Sequence, residues 1–170
     1  MTIAHANKLV KGLVGEDDFH DVEDILSSYY DLAQRQIATT AAPIKKSCFV
    51  EKGKSIALPE DLYRLTKVTV SYRRIDCNHI FVEGSGAAEI TYYAYPKKLY
   101  DDSSEQTEFE IAKEAQMAIP YFAAAQVVLA DSDMRRYYAF MDMYNGILSN
   151  ISAANMENSN IRVVTSEEMR

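Results

Sequence analysis

The chain has 170 residues, a formal net charge of −7 and a hydrophobic content of 48%. This length suits one domain that buries a core of its own, and two cysteines are too few for a secreted disulfide scaffold. The acidic balance argues against sequence-independent binding to DNA phosphates or to an anionic membrane surface. No stretch approaches about 18 consecutive apolar residues, and the first residues lack the features of a signal peptide. We therefore expect a soluble protein made in a reducing cytoplasm, its own or that of a host.

Apolar residues spaced three and four apart predict two helices in the N-terminal part. The first covers residues 3–14 and ends at Gly15. The second covers residues 18–38, and carboxylates crowd its first turns from Asp17 to Asp24. The helix dipole favours negative charge at that end, so the simple interpretation of this cluster is a well-charged helix start.

After the second helix the period changes to that of strands. Residues 44–95 alternate polar and apolar side chains between turn signals, which predicts a small antiparallel sheet inserted between helices. The segments 44–51 and 54–58 flank Gly53 and predict a hairpin. Residues 87–95 have the clearest strand pattern.

Two more helices follow, over residues 107–130 and 132–150, and their short connection predicts an antiparallel helical hairpin. Pro120 would lie in the middle of the third helix and kink it. Residues 151–170 lose the helical period, so we expect an extended C-terminal arm. The predicted fold is α+β but mainly α: one domain over residues 1–150, built as a helical bundle with a small inserted antiparallel sheet.

No motif for catalysis or cofactor binding is complete. Gly53-Lys54-Ser55 resembles the end of a phosphate-binding loop, but Cys48 stands where that motif needs its first glycine. Cys77, His79 and Cys48 could approach one another, but a structural zinc site needs four ligands, so free buried thiols are the favoured interpretation. Paired carboxylates are more typical of a solvated face than of acid–base catalysis. We expect no enzyme, no cofactor and no metal.

Tyrosine is unusually frequent, with 12 Tyr against no Trp and with three Tyr-Tyr doublets. A doublet places its rings on opposite faces of a strand or on adjacent sides of a helix, so the rings cannot all enter one small core. Tyrosine is also enriched at protein–protein interfaces. Core packing with ordinary surface exposure is the alternative, but together with the unusual C-terminal arm the tyrosines favour a subunit of an assembly.

Four stretches occur in an order that carries a family resemblance. They are the opening helical pair within residues 3–37, the Leu-Pro-acidic turn and strand that begin at residues 58–65, the tyrosine-rich strand 89–96 that ends in proline, and the closing hairpin within residues 114–144. In this order they resemble the head–tail adaptor (connector) proteins of tailed bacteriophages. The resemblance extends over nearly the full chain, although no single stretch is diagnostic by itself.

This resemblance implies a structural protein of the virion neck that catalyses no reaction. Copies would form a ring, commonly twelvefold, between the portal ring and the tail or its stopper. Genomic DNA would pass through the ring without specific binding, and no membrane would be involved. The chain would be made in the host cytoplasm and end in the virion.

The resemblance also suggests which residues meet these partners. Family members often dock on the portal through their C-terminal segment, and the strand-like candidates here are Ile161, Arg162, Val163, Val164 and Thr165. An acidic lumen would let DNA slide, and the candidate lumen carboxylates are those of Asp101, Asp102 and Glu105, or those of the Asp17 to Asp24 cluster.

Two other interpretations stay open from the sequence. A tail-completion or tail-terminator protein would also form a ring, but at another joint, and long helices at both ends of the chain favour the adaptor. An unrelated intracellular binding module would stay monomeric and have no portal partner. An enzyme would need a deep polar pocket with convergent carboxylates.

Overall fold

The computed structural model describes residues 1–100 and 103–160, and in 156–160 it describes the backbone only. Helices precede and follow a central part made of strands. Within the described residues the α-helices are α1 (Ile3–Val14), α2 (Glu16–His20), α3 (Leu26–Thr40), α4 (Ala118–Ala130) and α5 (Met134–Asn160). The strands are β1 (Ile44–Glu51), β2 (Ser55–Ala57), β3 (Leu62–Val68), β4 (Tyr72–Arg74), β5 (His79–Val82) and β6 (Ala87–Ala94).

The strands form two three-stranded antiparallel sheets, ordered β1–β6–β3 and β2–β5–β4. Side chains from both sheets bury a second core, separate from that of the helices, with Ile80 and Val82 from one sheet and Ile90 and Ala94 from the other. The fold is 46% helical and 23% strand, a mixed α+β fold. The predicted fold class, a mainly α helical bundle with one small inserted sheet, is therefore wrong. The physical reason is that the strands bury enough apolar surface to maintain a core of their own.

The predicted hairpin between residues 44–51 and 54–58 is also wrong. Strand β1 pairs along its whole length with β6, whereas β2 pairs with β5 in the other sheet. The long register with β6 turns alternate β1 side chains toward the strand core, which a three-residue strand cannot match. Gly53, with a φ of +78°, turns the chain from one sheet to the other and donates its N–H to the Val82 carbonyl at 2.7 Å.

The predicted helix over 18–38 is interrupted. Helix α2 ends at His20, a short 3₁₀ turn covers Glu23–Ile25, and α3 begins at Leu26. Six carboxylates lie between residues 16 and 24, and repulsion between neighbouring turns, together with the poor helix propensity of Asp, disfavours a continuous helix there. Arg136 fixes α2 by pairing with Asp18 at 3.2 Å.

The predicted third helix begins eleven residues late, at Ala118 instead of residue 107. The buried Gln116 side chain donates to the carbonyls of Phe109 and Ile111, at 3.1 and 3.0 Å, and these bonds hold the preceding segment in turns. Pro120 consequently lies in the first turn of α4, where a backbone N–H has no partner within the helix. The predicted kink is therefore absent.

The described part of the predicted arm, residues 151–160, is helical and belongs to α5. Ile151 packs against the helical core, and the Asn155 side chain donates to the Ala41 carbonyl at 2.9 Å, at the end of α3. These contacts extend the helix beyond the point where its sequence period fades.

Helix α4 is the centre of the helical part. It packs against α1, α3 and α5, and nine of its thirteen residues are buried. A helix that is apolar on all sides is expected to be enclosed in this way. The arrangement leaves α1 and α5 as outer helices, and both take part in the surfaces described next.

Candidate functional sites

Charge is divided unevenly between the two parts of the chain. Residues 44–98 hold ten Lys and Arg against six Asp and Glu, a formal net charge of +4. The rest of the chain holds eight basic and nineteen acidic residues, a net charge of −11. Among the described residues of the helical part, 1–43 and 103–160, six are basic and fifteen are acidic, a net charge of −9, whereas the strand part is weakly basic.

An open cleft of about 690 Å³ lies where the strand part meets the helical part. The Lys46 ammonium lies 3.0 Å from carboxylate oxygens of both Asp61 and Glu110. Asp61 also accepts a hydrogen bond of 3.2 Å from the Tyr92 hydroxyl, and Glu110 accepts one of 2.7 Å from the Lys97 N–H. Two carboxylates thus converge on one ammonium, but the cleft is open rather than the deep polar pocket that an enzyme would need.

The charges of this cleft are already engaged with one another. Hydrogen bonds to Asp61, and then to Glu110, raise the pKa of Lys46, so its ammonium is held charged. A lysine that acts as a base needs the opposite shift. Asp61 immediately precedes β3, and Glu110 lies in the segment before α4. The two ion pairs of Lys46 therefore join the strand part to the helical part.

A second polar cluster fixes the chain as it returns from β6 to the helices. The nearly buried Asp31 carboxylate accepts hydrogen bonds from the Leu99 N–H at 2.8 Å and from Arg35 Nε at 2.7 Å. The Gln34 side chain donates to the Lys97 carbonyl at 2.8 Å. These groups on α3 hold the residues that form one wall of the cleft.

The outer face of sheet β1–β6–β3 carries aromatic and basic side chains. Tyr63 stacks on Tyr93, with ring centroids 6.0 Å apart, and contacts Tyr95 at 5.2 Å. Arg35 lies over the Tyr95 ring at 5.7 Å. Burial raises the pKa of the Tyr63 hydroxyl, which donates to the Ala38 carbonyl at 3.2 Å. Farther along this face Phe49 is 79% exposed and packs against little of the chain.

The helical part has an apolar groove of about 470 Å³ between α1 and α4. Its floor and walls are formed by Leu9, Leu13, Met117, Pro120 and Tyr121. Gly12 opens the groove on the α1 side, since a Cβ placed there would meet no atom within 4 Å. Lys8 and His5 lie at its rim and are exposed.

Helix α5 also carries exposed apolar side chains. Met134 and Tyr138 lie close together on its outward side and are 43% and 59% exposed, whereas Met143, nine residues after Met134 and so about half a turn around the helix from it, is 53% exposed. The opposite side of this helix packs on α4, with Tyr144 buried and its ring 5.3 Å from that of Phe122. Helix α5 therefore covers α4 with one side and offers apolar side chains to a neighbour with the other.

Few of the site residues predicted from the sequence can be placed. The proposed docking segment, Ile161 to Thr165, lies outside the described residues, as do Asp101 and Asp102. Glu105 is exposed, and its carbonyl accepts the Ala4 N–H at the start of α1. In the Asp17 to Asp24 cluster the side chains are mostly exposed. Asp18 forms an ion pair with Arg136, and Glu23 pairs with His20.

The three zinc candidates do not come together. Cys48 and Cys77 are both unpaired thiols, as predicted, but the predicted burial is wrong, because Cys48 is partly exposed and Cys77 is exposed. The Asp76 carboxylate oxygen Oδ1 lies 3.0 Å from Nδ1 of the His79 ring. Within residues 1–100 and 103–160 no three His, Cys, Asp or Glu side chains are grouped to hold a metal ion.

Sequence reasoning missed the cleft at Lys46 and the groove between α1 and α4. The cleft joins residues 46, 61 and 110, which are distant in sequence, so no local pattern could reveal it. For the groove a signal exists: Gly12 interrupts an otherwise amphipathic helix at an exposed position.

Comparison with known proteins matches the sequence to no protein family and to no curated protein. None of the described helices is long and apolar enough to cross a membrane.

Proposed function

We propose that this chain is a structural subunit of a head–tail adaptor ring in the neck of a tailed bacteriophage, where it joins the portal ring to the tail or its stopper. The observation that carries the proposal is that large apolar side chains are exposed on three separate surfaces. These are the outward side of α5, the groove between α1 and α4, and the sheet face around Phe49. Exposed apolar patches of this kind mark contacts with other proteins.

A subunit of this kind needs several contact surfaces, and the three exposed surfaces would supply part of them. Each subunit touches its neighbours in the ring on two sides, and it also touches the portal and the tail. The paired charges in the cleft at Lys46 support a structural role over acid–base catalysis, because each carboxylate is already bound to the ammonium.

Native mass spectrometry of this chain, co-expressed with the portal protein from its own genome, tests the proposal. We expect a portal ring that carries about one copy of this chain for each portal subunit, as a ring of matched symmetry requires. A portal ring with no added chain would contradict the adaptor and favour the tail-completion alternative. A chain that stays monomeric with every neck protein of that genome would favour the binding module.

A further inference from the structure

Two of the exposed surfaces are complementary to each other. We propose that the outward side of α5 from one copy of this chain docks into the groove between α1 and α4 of the next copy. This inference rests on the proposed function and assigns the ring interface to these two surfaces. The shape, apolar character and charge of the two surfaces support this assignment.

The two surfaces match in shape and in apolar character. The residues of α5 at spacings of three and four, Arg135, Tyr138 and Asp142, lie on the outward side of the helix. Tyr138 is at the middle of this row and is 59% exposed. On α1, the open space over Gly12 lies between Leu9 and Leu13, so an aromatic ring can enter there against apolar walls. A tyrosine suits this position because its hydroxyl can stay at the wet edge of the contact.

Charge gives the contact a direction. Lys8 at the groove rim and Asp142 on α5 are exposed, and neither forms an ion pair within the described part of the chain. Asp142 is one helical turn from Tyr138, as Lys8 is from Gly12, so a ring seated over Gly12 brings the two charges together.

The second pair of charges fixes the orientation. Arg135 precedes Asp142 by seven residues, about 10 Å along α5. When α5 runs antiparallel to α1, Arg135 points from Lys8 toward the acidic residues of α2, where Asp17 is exposed. Neither Arg135 nor Asp17 has an ion-pair partner among the described residues. In the parallel orientation Arg135 would point away from this acidic segment.

The two surfaces lie on different helices that flank α4, so the contact joins unlike patches. Such a contact is head-to-tail, and it leaves one free groove and one free α5 at the ends of any open chain of copies. When each copy binds two different neighbours in this way, the contact builds a ring or a filament, whereas two copies that exchange α5 reciprocally would close as a dimer. A ring subunit needs this kind of interface.

Sedimentation velocity of the full chain over a concentration series tests this assignment. We expect the wild type to self-associate, and we expect Lys8→Glu and Asp142→Lys each to weaken association about fivefold, since each places like charges in contact. The double variant, with the charges exchanged, restores association. Tyr138→Ser weakens it more than tenfold, because the central ring is lost. Glu83→Lys, a charge reversal of the same size at the exposed end of β5, outside all three surfaces, is the matched control and leaves association unchanged.

Three outcomes would overturn the assignment: a wild type that shows no concentration dependence, single variants that associate like the wild type, or a double variant no better than the single ones. Because all three side chains are exposed, melting curves should be unchanged, which separates loss of contact from loss of fold. Portal recruitment is measured separately. If the portal recruits these variants as well as the wild type, the interface is rejected and the adaptor proposal stands. If the double variant regains self-association but the portal recruits no copies, the interface stands and the adaptor proposal is rejected.

Discussion

Replacing Tyr144 by phenylalanine should stabilise the protein, because its hydroxyl is buried without a partner. The side chain is fully buried, and its Oη has no hydrogen-bond partner among the described residues. Burying a polar group that makes no hydrogen bond costs about 1–3 kcal/mol. Phenylalanine keeps the ring against Phe122 and removes that cost.

We expect Tyr144→Phe to raise the free energy of unfolding by about 1 kcal/mol, toward the lower end of this range because the lost oxygen leaves a small void. For a chain of this size the melting temperature should rise by about 2–4 °C. Urea denaturation followed by circular dichroism measures the change. A variant that is less stable than the wild type by 1 kcal/mol or more would refute the reasoning, since the hydroxyl must then be bonded.

Tyr30→Phe is the matched control. Tyr30 is equally buried and its ring packs on Phe109, but its hydroxyl donates to Asn7 Oδ1 at 2.8 Å. The same substitution here removes a hydrogen bond and leaves an acceptor unpaired, so we expect a loss of about 1 kcal/mol. Opposite signs at the two tyrosines would show that hydrogen bonding, and not ring burial, decides the effect.

Alkaline pH provides a second measurement on the same residue. Burial raises the pKa of Tyr144 to about 12, whereas an exposed tyrosine titrates near 10. Between these values the unfolded chain has lost this proton and the folded chain still holds it. The residue's contribution to stability is thus fully present below about pH 10 and falls by up to about 1.4 kcal/mol per pH unit above it. Tyr144→Phe should lack this loss, so the stability difference between variant and wild type should grow above pH 10. A stability difference between variant and wild type that stays constant up to pH 12 would contradict the raised pKa of Tyr144.

Three further predictions concern the contacts that join the parts of the chain. Lys46→Met should cost about 1 kcal/mol, because two partly exposed carboxylates then lose their shared ammonium, whereas Lys45→Met on the other sheet face should cost little; urea denaturation compares them. Asp31→Asn should cost about 2 kcal/mol and speed amide exchange at Leu99, since the charged acceptor of that N–H is lost. Deleting residues 157–170 should leave the melting temperature nearly unchanged but weaken portal recruitment, and unchanged recruitment would remove the docking role of the C-terminal segment.

Local pattern predicts individual elements of this chain better than it predicts their partners. The apolar period over residues 3–14 matches α1 at both ends, because Thr2 and Gly15 supply local signals for the start and the stop. The strand pattern of 87–95 likewise matches β6 closely. By contrast, β1 pairs with β6 although four strands, β2 to β5, lie between them in the chain, and nothing in the intervening residues specifies that choice.

The predicted helix boundaries are wrong where tertiary contacts outweigh local helix propensity. The segment before α4 has an acceptable helical period, but Gln116 binds two carbonyls of that segment and keeps it in turns. The end of α5 has a weak period, but Asn155 and Ile151 hold it as a helix. In both cases one or two side chains that reach another part of the fold decide the local structure.

The division of charge limits how a ring of these subunits could be oriented. An acidic lumen that lets DNA slide would require the helical part, whose described residues carry a net charge of −9, to face the channel. If the strand part faced it instead, each subunit would present a net charge of +4, and Arg64 and Lys67 on an exposed sheet face would slow the DNA. The interface proposed here uses α1 and α5 and therefore places the carboxylates of α2 beside the joint between subunits. Repeated around a ring, that joint would place a band of α2 carboxylates on the helical part, and a sliding DNA would require this band to line the channel.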